Sequence, residues 1–295
     1  MSKGQSELPA DRHTGVRGIP GGAIGNRESF ALYAAPWAGG ASDLGRRHES
    51  NQDALALAAG ADATGAPFAV VAVSDGVSTS SNSELASALA AETVCAHLLA
   101  FQDGLAAPDL AELEEAMTSA FDDANVSIVA KAVDDLRGSW SCTMIAAILK
   151  NGVVLIGNVG DSRCYWFPDG GEPKRLSVDD SMAQARIELG VSRKEAETGF
   201  RAHAITKWLG PESPTHLPSI TRLEVDQPGW LLVCTDGLWN YASEPEALGS
   251  VLRQALGEGP DQDASQVASR LVNWGNSAGG RDNITAALLR LKAPN

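Results

Sequence analysis

The chain has 295 residues, 44% hydrophobic and 20% charged, which is ample for a sizeable core and ordinary for a globular protein. Its 37 acidic and 23 basic residues leave a formal net charge of −14, which argues against nucleic acid or an anionic membrane as a partner. No run reaches the roughly 18 apolar residues of a membrane-spanning helix. The opening stretch MSKGQSELPADRHTG has no apolar core of the kind a secretory signal needs, so a cytoplasmic location is expected. Cys95, Cys142, Cys164 and Cys234 lie in apolar stretches without CxxC spacing. They read as small core residues in a reducing compartment, with neither a zinc site nor a disulfide framework suggested.

Residues 1–28 carry Gly, Pro, Arg and Ser with almost no apolar period and are expected to form a disordered tail, leaving one domain over 29–295. Short apolar runs bounded by Gly, Pro and Asp predict strands over 30–35, 53–59 and 68–74. Two amphipathic helices follow. Over 82–101 the repeating positions are Leu85, Leu89, Thr93 and Ala96. Over 109–136 they are Leu110, Leu113, Met117, Phe121, Ala124, Ile128 and Ala132, with Pro108 and Asp109 as the start signal. Strands return over 140–149, 153–159 and 163–167, the first two joined by Lys150-Asn151-Gly152, a hairpin signal. Residues 181–210 look irregular apart from a short helix near 182–189. Strands over 217–225 and 230–235, helices over 244–256 and 262–275, and a strand over 284–291 complete the order. Strands, two helices, strands, two helices and a strand do not alternate as a doubly wound parallel sheet does. The order predicts an α+β protein with antiparallel sheets and helix pairs packed outside.

Four aspartates stand out by position. Asp75 closes the run FAVVAVS and precedes Gly76, and Asp236 closes WLLVCT and precedes Gly237. Asp53 follows Ser50-Asn51-Gln52 at the start of a strand, and Asp282 lies just before the last strand. A single apolar strand running into Asp-Gly is most simply a turn. Two such sites, with two further acids at strand edges, suit an oxygen-only site for a hard divalent ion such as Mg²⁺ or Mn²⁺. The strands would aim the carboxylates, and each glycine would let its backbone come close. Asn158 to Arg163 joins two strands through a tight turn and by itself reads as a hairpin.

Together these residues resemble the metal-dependent Ser/Thr protein phosphatases of the 2C family, in their bacterial form. The stretch from Gly45 to Ala54 looks like the family's first motif and Val73-Ser74-Asp75-Gly76-Val77-Ser78 like its second. Gly138-Ser139 through Gly160-Asp161-Ser162-Arg163 is similar to the central block, and Cys234 to Trp239 and Arg281 to Thr285 look like the last two. Each motif is common alone; the order and spacing over roughly 29–292 carry the resemblance. It implies a four-layer αββα sandwich, two antiparallel sheets flanked by helix pairs, with a two-metal site at one edge. Carried over by position, Asp75 would bridge both metals and Gly76 would offer its carbonyl. Asp53 would hold one metal mainly through water, and Asp236 and Asp282 the other. Asp161, with Asp236, corresponds to a weaker third metal site, and residues 181–210 to a variable flap beside it. The implied cofactors are Mn²⁺ or Mg²⁺, and the implied partners are proteins phosphorylated by a Ser/Thr kinase.

A phosphate monoester repels nucleophiles through its own charge. Two cations roughly 3.5–4 Å apart acidify a bridging water and neutralise phosphoryl charge. Direct attack by that hydroxide on phosphoserine or phosphothreonine, without a phosphoenzyme, is the expected chemistry. Arginine pairs bidentately with phosphate. Arg47, six residues before Asp53, is assigned that role, with Arg46 the alternative; the family's commoner spacing of five falls on His48. Gln52 stands where an acid often precedes the first Asp, and Asn240 where many relatives carry another metal-binding Asp. Both are read as residues one step back from the metals. Val77 occupies the place of a frequent His, so a metal-bound water or His48 would protonate the leaving group.

Other phosphatase chemistries do not match. A tyrosine-phosphatase loop needs Arg six residues after its Cys, where this chain has Phe101, Ile148, Gly170 and Asn240. The aspartyl-nucleophile class needs Asp two residues before the Asp-Gly acid, where it has Val73 and Cys234. The competing class is a catalytically weak member of the same fold that binds a phosphoprotein or another partner. Val77 and Asn240 favour it, and the acids Asp53, Asp75, Asp236 and Asp282 oppose it. The seven Trp are expected in core or sheet packing, and His97 on a helix surface.

Overall fold

The computed structural model describes residues 29–102, 110–135, 138–257 and 262–293. The tail expected over 1–28 and the helix start at Pro108 and Asp109 lie outside them. One sheet has five strands, β3 (Ala54–Ala61), β4 (Pro67–Ser74), β5 (Met144–Lys150), β6 (Val153–Val159) and β9 (Ser219–Glu224), in spatial order β3-β4-β5-β6-β9. The other has six: β1 (Phe30–Ala35), β2 (Ala38–Asp43), β7 (Arg163–Pro168), β8 (Lys174–Arg175), β10 (Gly229–Cys234) and β11 (Ile284–Leu291). Their order is β1-β2-β11-β10-β7-β8, and the pairings in both sheets are antiparallel.

The layers follow from strands that are apolar on both faces. Ala54, Ala56, Val70, Ala72, Met144 and Ala146 face α1 (Ser83–Leu99) and α2 (Leu110–Asp134). The alternate residues Leu55, Leu57, Val71, Val73, Ile145 and Ala147 meet Cys164, Trp166, Leu231, Val233 and Leu289 of the other sheet. That sheet turns Tyr165, Phe167, Trp230, Leu232 and Leu288 toward α6 (Pro245–Leu256) and α7 (Ala264–Ala278). The result is the αββα sandwich the family resemblance implies, in agreement with the element order. The cysteines are free and buried. Trp140, Trp166, Trp230 and Trp239 are buried, while Trp37, Trp208 and Trp274 are partly exposed. His97 sits on the α1 surface, 2.8 Å from Asp123. Among the described residues no helix is long and apolar enough to cross a membrane.

Several sequence expectations shift. The strand β2, AGGASD, has no apolar period, yet it is a central strand because α7 lies directly on it. A Cβ at Gly39 would sit 2.5 Å from the Ser265 nitrogen, so only glycine permits that approach. The strand expected from 140 begins at Met144; Cys142 is spent instead on single bridges to Gly76 and Leu209. The turn after β6 is not a hairpin. Gly160, at φ +106°, sends the chain from one sheet to the other, and β7 pairs with β10. Residues 181–210 hold α3 (Met182–Glu188) and an unforeseen α4 (Arg193–Thr198), with a small core of Ala183, Ala196 and Ala202. The Asn151-Gly152 turn between β5 and β6 matches expectation, with φ of 52° and 74°.

Candidate active site

Antiparallel pairing decides where the acids go. Ala54 pairs with Ser74, so Asp53 before β3 and Asp75 after β4 emerge at the same end of one sheet. Cys234 pairs with Ala286, so Asp236 after β10 and Asp282 before β11 emerge together from the other. The two ends meet. Asp53 Oδ2 accepts hydrogen bonds from Thr235 Oγ1 at 2.8 Å and Thr285 Oγ1 at 2.6 Å, both on the opposite sheet's loops and strands. Asp161, in the crossing from β6 to β7, completes the pole, and its backbone oxygen accepts from Trp239 Nε1 at 2.9 Å.

The hydroxyls around Asp53 have a defined direction. Asn51 Nδ2 donates to Ser42 Oγ at 2.8 Å, and Ser42 Oγ lies 2.7 Å from Thr285 Oγ1. Each hydroxyl has one proton, so Ser42 donates to Thr285 and Thr285 donates to Asp53. Thr235 Oγ1 likewise accepts the Thr285 amide at 3.0 Å and spends its own proton on Asp53. The chain of donors ends on a carboxylate and favours its ionised form.

The remaining acids are held from the backbone outward. The Asp75 amide donates to Thr143 Oγ1 at 3.0 Å, the Thr143 amide returns a bond to the Asp75 carbonyl at 2.7 Å, and Ser74 Oγ donates to the Thr143 carbonyl at 2.5 Å. Gly76 donates its amide to the Gln52 carbonyl at 3.2 Å, and a Cβ there would strike Ser83 at 2.8 Å. Asp236 opens the short helix α5 (Asp236–Trp239), so its Asp-Gly is a helix start rather than a hairpin. Gly237 passes so near the Asn283 carbonyl that no side chain fits. Asn283 in turn accepts the Gln52 amide at 2.7 Å and donates to the carbonyls of Leu44 at 2.9 Å and Ser50 at 3.2 Å. One asparagine therefore bonds the loop of Asp53 to that of Asp282, while its backbone carbonyl packs against Gly237 beside Asp236.

Burial and mutual repulsion govern the charges. Burial first, then Asp282 and Asp236, push Asp53 up to about 7 against its two hydroxyl donors. Burial followed by the charges of Asp53, Asp236, Asp282 and Asp161 holds Asp75 well above the carboxylate range. Asp161 is raised by burial, Asp236 and Asp179, and Asp236 is raised to about 6 by burial and Asp282. The carboxylates thus share one electrostatic neighbourhood, although among the described residues no three His, Cys, Asp or Glu side chains have closed on a common point. Asp236 Oδ1 is buried and, among the described residues, has no amide, hydroxyl or cationic donor, while the Asp75 carboxyl lies against Asp236. Acids pressed together in an oxygen-only set fit hard divalent cations.

The other sequence candidates divide. Asn240 Nδ2 donates to Asp236 Oδ2 at 3.0 Å, one step back from the acids as expected. Gln52 contributes through its backbone, whose carbonyl also accepts Ser87 Oγ at 2.5 Å. Arg46 and Arg47 are exposed, and Arg47 forms no ion pair with another described residue. His48 instead lies 3.2 Å from Asp282 Oδ1. Thr235, Thr285, Ser42 and Asn283 were not singled out in the sequence. Thr235, Asn283 and Thr285 lie inside the last two motifs, close to Asp236 and Asp282, whereas Ser42 carried no signal.

An antiparallel αββα sandwich with a pole of buried and half-buried carboxylates defines a scaffold for divalent-metal chemistry. Residues 42–274 match the family model described as protein phosphatase 2C. The chain belongs to that family and is a protein phosphatase. It is 28% identical over 223 residues to the serine/threonine phosphatase stp of Listeria welshimeri, covering 75% of this chain and 83% of that protein. The PPM Ser-Thr phosphatase MsPP of Mycobacterium smegmatis, solved with cacodylate, is 29% identical with a TM-score of 0.65, over 86% of this chain and 97% of that one. The catalytic domain of the serine threonine protein phosphatase PstP, solved with two manganese ions, shares the fold at a TM-score of 0.63 and 23% identity, over 89% and 97% of the chains.

Proposed function

We propose that this phosphatase hydrolyses phosphoserine and phosphothreonine in proteins, using divalent metal held by the acids at the pole of the sandwich. The observation that carries the reading is the meeting of Asp53, from one sheet, with Thr235 and Thr285, from the other, inside a ring of acids that raise one another's pKa. Asp75, Asp53, Asp236 and Asp282, with the Gly76 carbonyl, would hold two ions, Mn²⁺ or Mg²⁺, and Asp161 with Asp236 a third. When bound, such ions supply activated water and neutralise phosphoryl charge. The chain's own residues do the rest. Thr235 and Thr285 favour the ionised form of Asp53 against its burial, Asn283 joins the Asp53 and Asp282 loops, and Asn240 orients Asp236. Arg47, exposed and unpaired among the described residues, is free to swing onto a phosphate oxygen. His48 is within reach of the same rim through Asp282.

The substrates are products of Ser/Thr kinases, and a domain over 29–295 with its flap at 181–210 would present them to the pole. The test is hydrolysis of a phosphothreonine peptide and of p-nitrophenyl phosphate with Mn²⁺ or Mg²⁺. Activity that survives EDTA would defeat it. A second reading, a catalytically weak phosphoprotein-binding member, is favoured by the Asn240 amide, which takes up one Asp236 oxygen where a further acid would add charge. Calorimetric titration with Mn²⁺ separates the two, since a pure binding module has no need of two ions.

A further inference from the structure

The segment 181–210 returns to the body at its end, where Leu209 enters the main core and bridges Cys142, but α3 and α4 have a small core of their own. Their small apolar cluster of Ala183, Ala196 and Ala202 is separate from the three main cores, and Leu189 and Phe200 face solvent. The base of the segment is closed at Asp180. The Asp180 amide donates to the Gly160 carbonyl at 2.8 Å, and the Gly160 amide donates to Asp180 Oδ2 at 3.1 Å. The Thr206 amide returns to the Asp180 carbonyl at 2.8 Å, and Lys207 Nζ lies 2.8 Å from Asp180 Oδ1. That anchor leaves α4, further along, to be secured by something else.

What secures it is a buried arginine of the body. Arg163, on β7, is 1% exposed. Its Nε and NH2 groups donate to Asp179, the shortest bond at 2.6 Å, so its charge is already paired within the body. Its face lies over the Trp239 ring, 3.4 Å from the centroid, and Trp239 is the residue that donates to the Asp161 carbonyl. Yet NH2 carries a second carboxylate, Glu197 of α4, at 3.0 Å. The same Glu197 Oε1 accepts Ser243 Oγ at 2.8 Å and Arg193 NH1 at 3.1 Å, while Arg193 Nε lies 3.1 Å from Glu244. Burial works against the ionised Glu197, but the hydrogen bonds from Ser243 and Arg163 outweigh it and hold its carboxyl below the usual range.

We propose that Glu197 is a latch that holds the flap down on the rim of the active site through Arg163 and Ser243. Arg163 and Glu197 are then positioning residues, and the proposal rests on the phosphatase reading above. The latch can release because Arg163 keeps Asp179 when Glu197 leaves, so no buried charge is stranded. Closed, it fixes α4 beside the Trp239–Asp161 contact and thereby sets the width of the approach for a phosphoprotein segment.

The test is hydrogen exchange on the unliganded protein, followed by kinetics. In Glu197→Ala, amides over 182–202 should exchange about tenfold faster while β10 and β11 stay unchanged, as expected when charge-assisted bonds to a partly buried carboxylate are lost. Glu197→Gln, which keeps an acceptor but not the charge, should fall between. Ser243→Ala, which removes the hydroxyl that accepts from Arg163 NH1 at 3.0 Å and donates to Glu197 but leaves the direct Arg163–Glu197 contact in place, should give an increase of roughly twofold to threefold. For a phosphothreonine peptide, KM should rise about fivefold in Glu197→Ala with kcat lowered less than about twofold, and Glu197→Asp should recover part of the loss. Unchanged exchange over 182–202, acceleration that spreads to β10 and β11, or a fall in kcat at constant KM would each overturn the latch. The exchange result needs no substrate, so an unmutated protein without phosphatase activity would defeat the functional reading and leave the latch standing.

Discussion

Replacing Thr285 with valine keeps the shape and removes one hydroxyl from the middle of the donor chain. Thr285 is fully buried, 2.6 Å from Asp53 Oδ2 and 2.7 Å from Ser42 Oγ. In the variant Asp53 loses one of its two hydroxyl donors, and Ser42 loses the acceptor of its proton. A hydrogen bond to a charged group is worth about 1.5–3 kcal/mol, which for a domain of this size lowers Tm by roughly 3–9 °C. The larger consequence falls on metal. Without the Thr285 proton the Asp53 carboxylate is harder to ionise, a proton competes better with the cation, and affinity should drop about 10–100-fold, as for other partners that orient metal ligands. Calorimetric titration of EDTA-stripped protein with MnCl₂ reads this directly, and Thr285→Ser should restore most of the loss. An unchanged Kd in Thr285→Val would refute the claim that the hydroxyl chain tunes Asp53.

Asp75→Asn should lower turnover on p-nitrophenyl phosphate by about 10³-fold or more at saturating Mn²⁺, the effect of losing several kcal/mol of charge stabilisation; near-normal turnover contradicts the assignment. Burial and then neighbouring acids raise Asp53 from 3.8 to about 7 and Asp236 to about 6, so the folded metal-free protein binds more protons than the unfolded chain between those values. Stability in EDTA should therefore fall as pH rises from about 4 to about 7, by at most on the order of 4 kcal/mol for Asp53 and 3 kcal/mol for Asp236, and saturating Mn²⁺ should remove the loss. Melting curves at pH 5.0 and 7.5 with and without metal check the sign. Gly237→Ala drives a methyl into the Asn283 carbonyl and should cost about 2 kcal/mol or more, read by urea denaturation, with weakened metal binding because the Asp236 and Asp282 loops must part. Arg47→Ala should raise KM for a phosphopeptide about tenfold with a smaller change in kcat, and phosphate inhibition should weaken in parallel.

The acids were legible because each sits where an apolar strand pattern stops, and an acid at the end of a rigid strand is an unusual use of a costly side chain. Their convergence was not legible, because it depends on which strands pair. Nothing in FAVVAVS or WLLVCT says that β3 lies beside β4 or β10 beside β11. The turn at Gly160 shows the limit most clearly. A hairpin and a crossing between sheets need the same few residues, and only the partner of β7 tells them apart. The strand β2 was hidden because Gly39 and Gly40 serve close packing against α7 and carry no periodic signal. Thr235 and Thr285 were hidden for the opposite reason, since threonine in a strand looks like ordinary β-propensity. Arg163 was visible as part of a motif, but its partner Glu197 lies in a segment whose pattern predicts only irregular chain.

The crowding of the pole also explains why metal and fold should be read together. A set of acids that raise one another's pKa opposes the folded state at neutral pH, because folding brings like charges together out of water. The sandwich tolerates this at one pole because its three apolar cores are formed elsewhere, between the sheets and under each helix pair. A divalent cation bound there would relieve the repulsion and add its binding free energy to stability by mass action. The loops that carry the acids should accordingly be the part of the molecule most ordered by metal, while β4, β5 and β10 should be indifferent to it. Hydrogen exchange with and without Mn²⁺ would show protection gained around Asn51–Asp53, Asp75–Ser80 and Asn240, and protection gained evenly across the sheets would contradict that division.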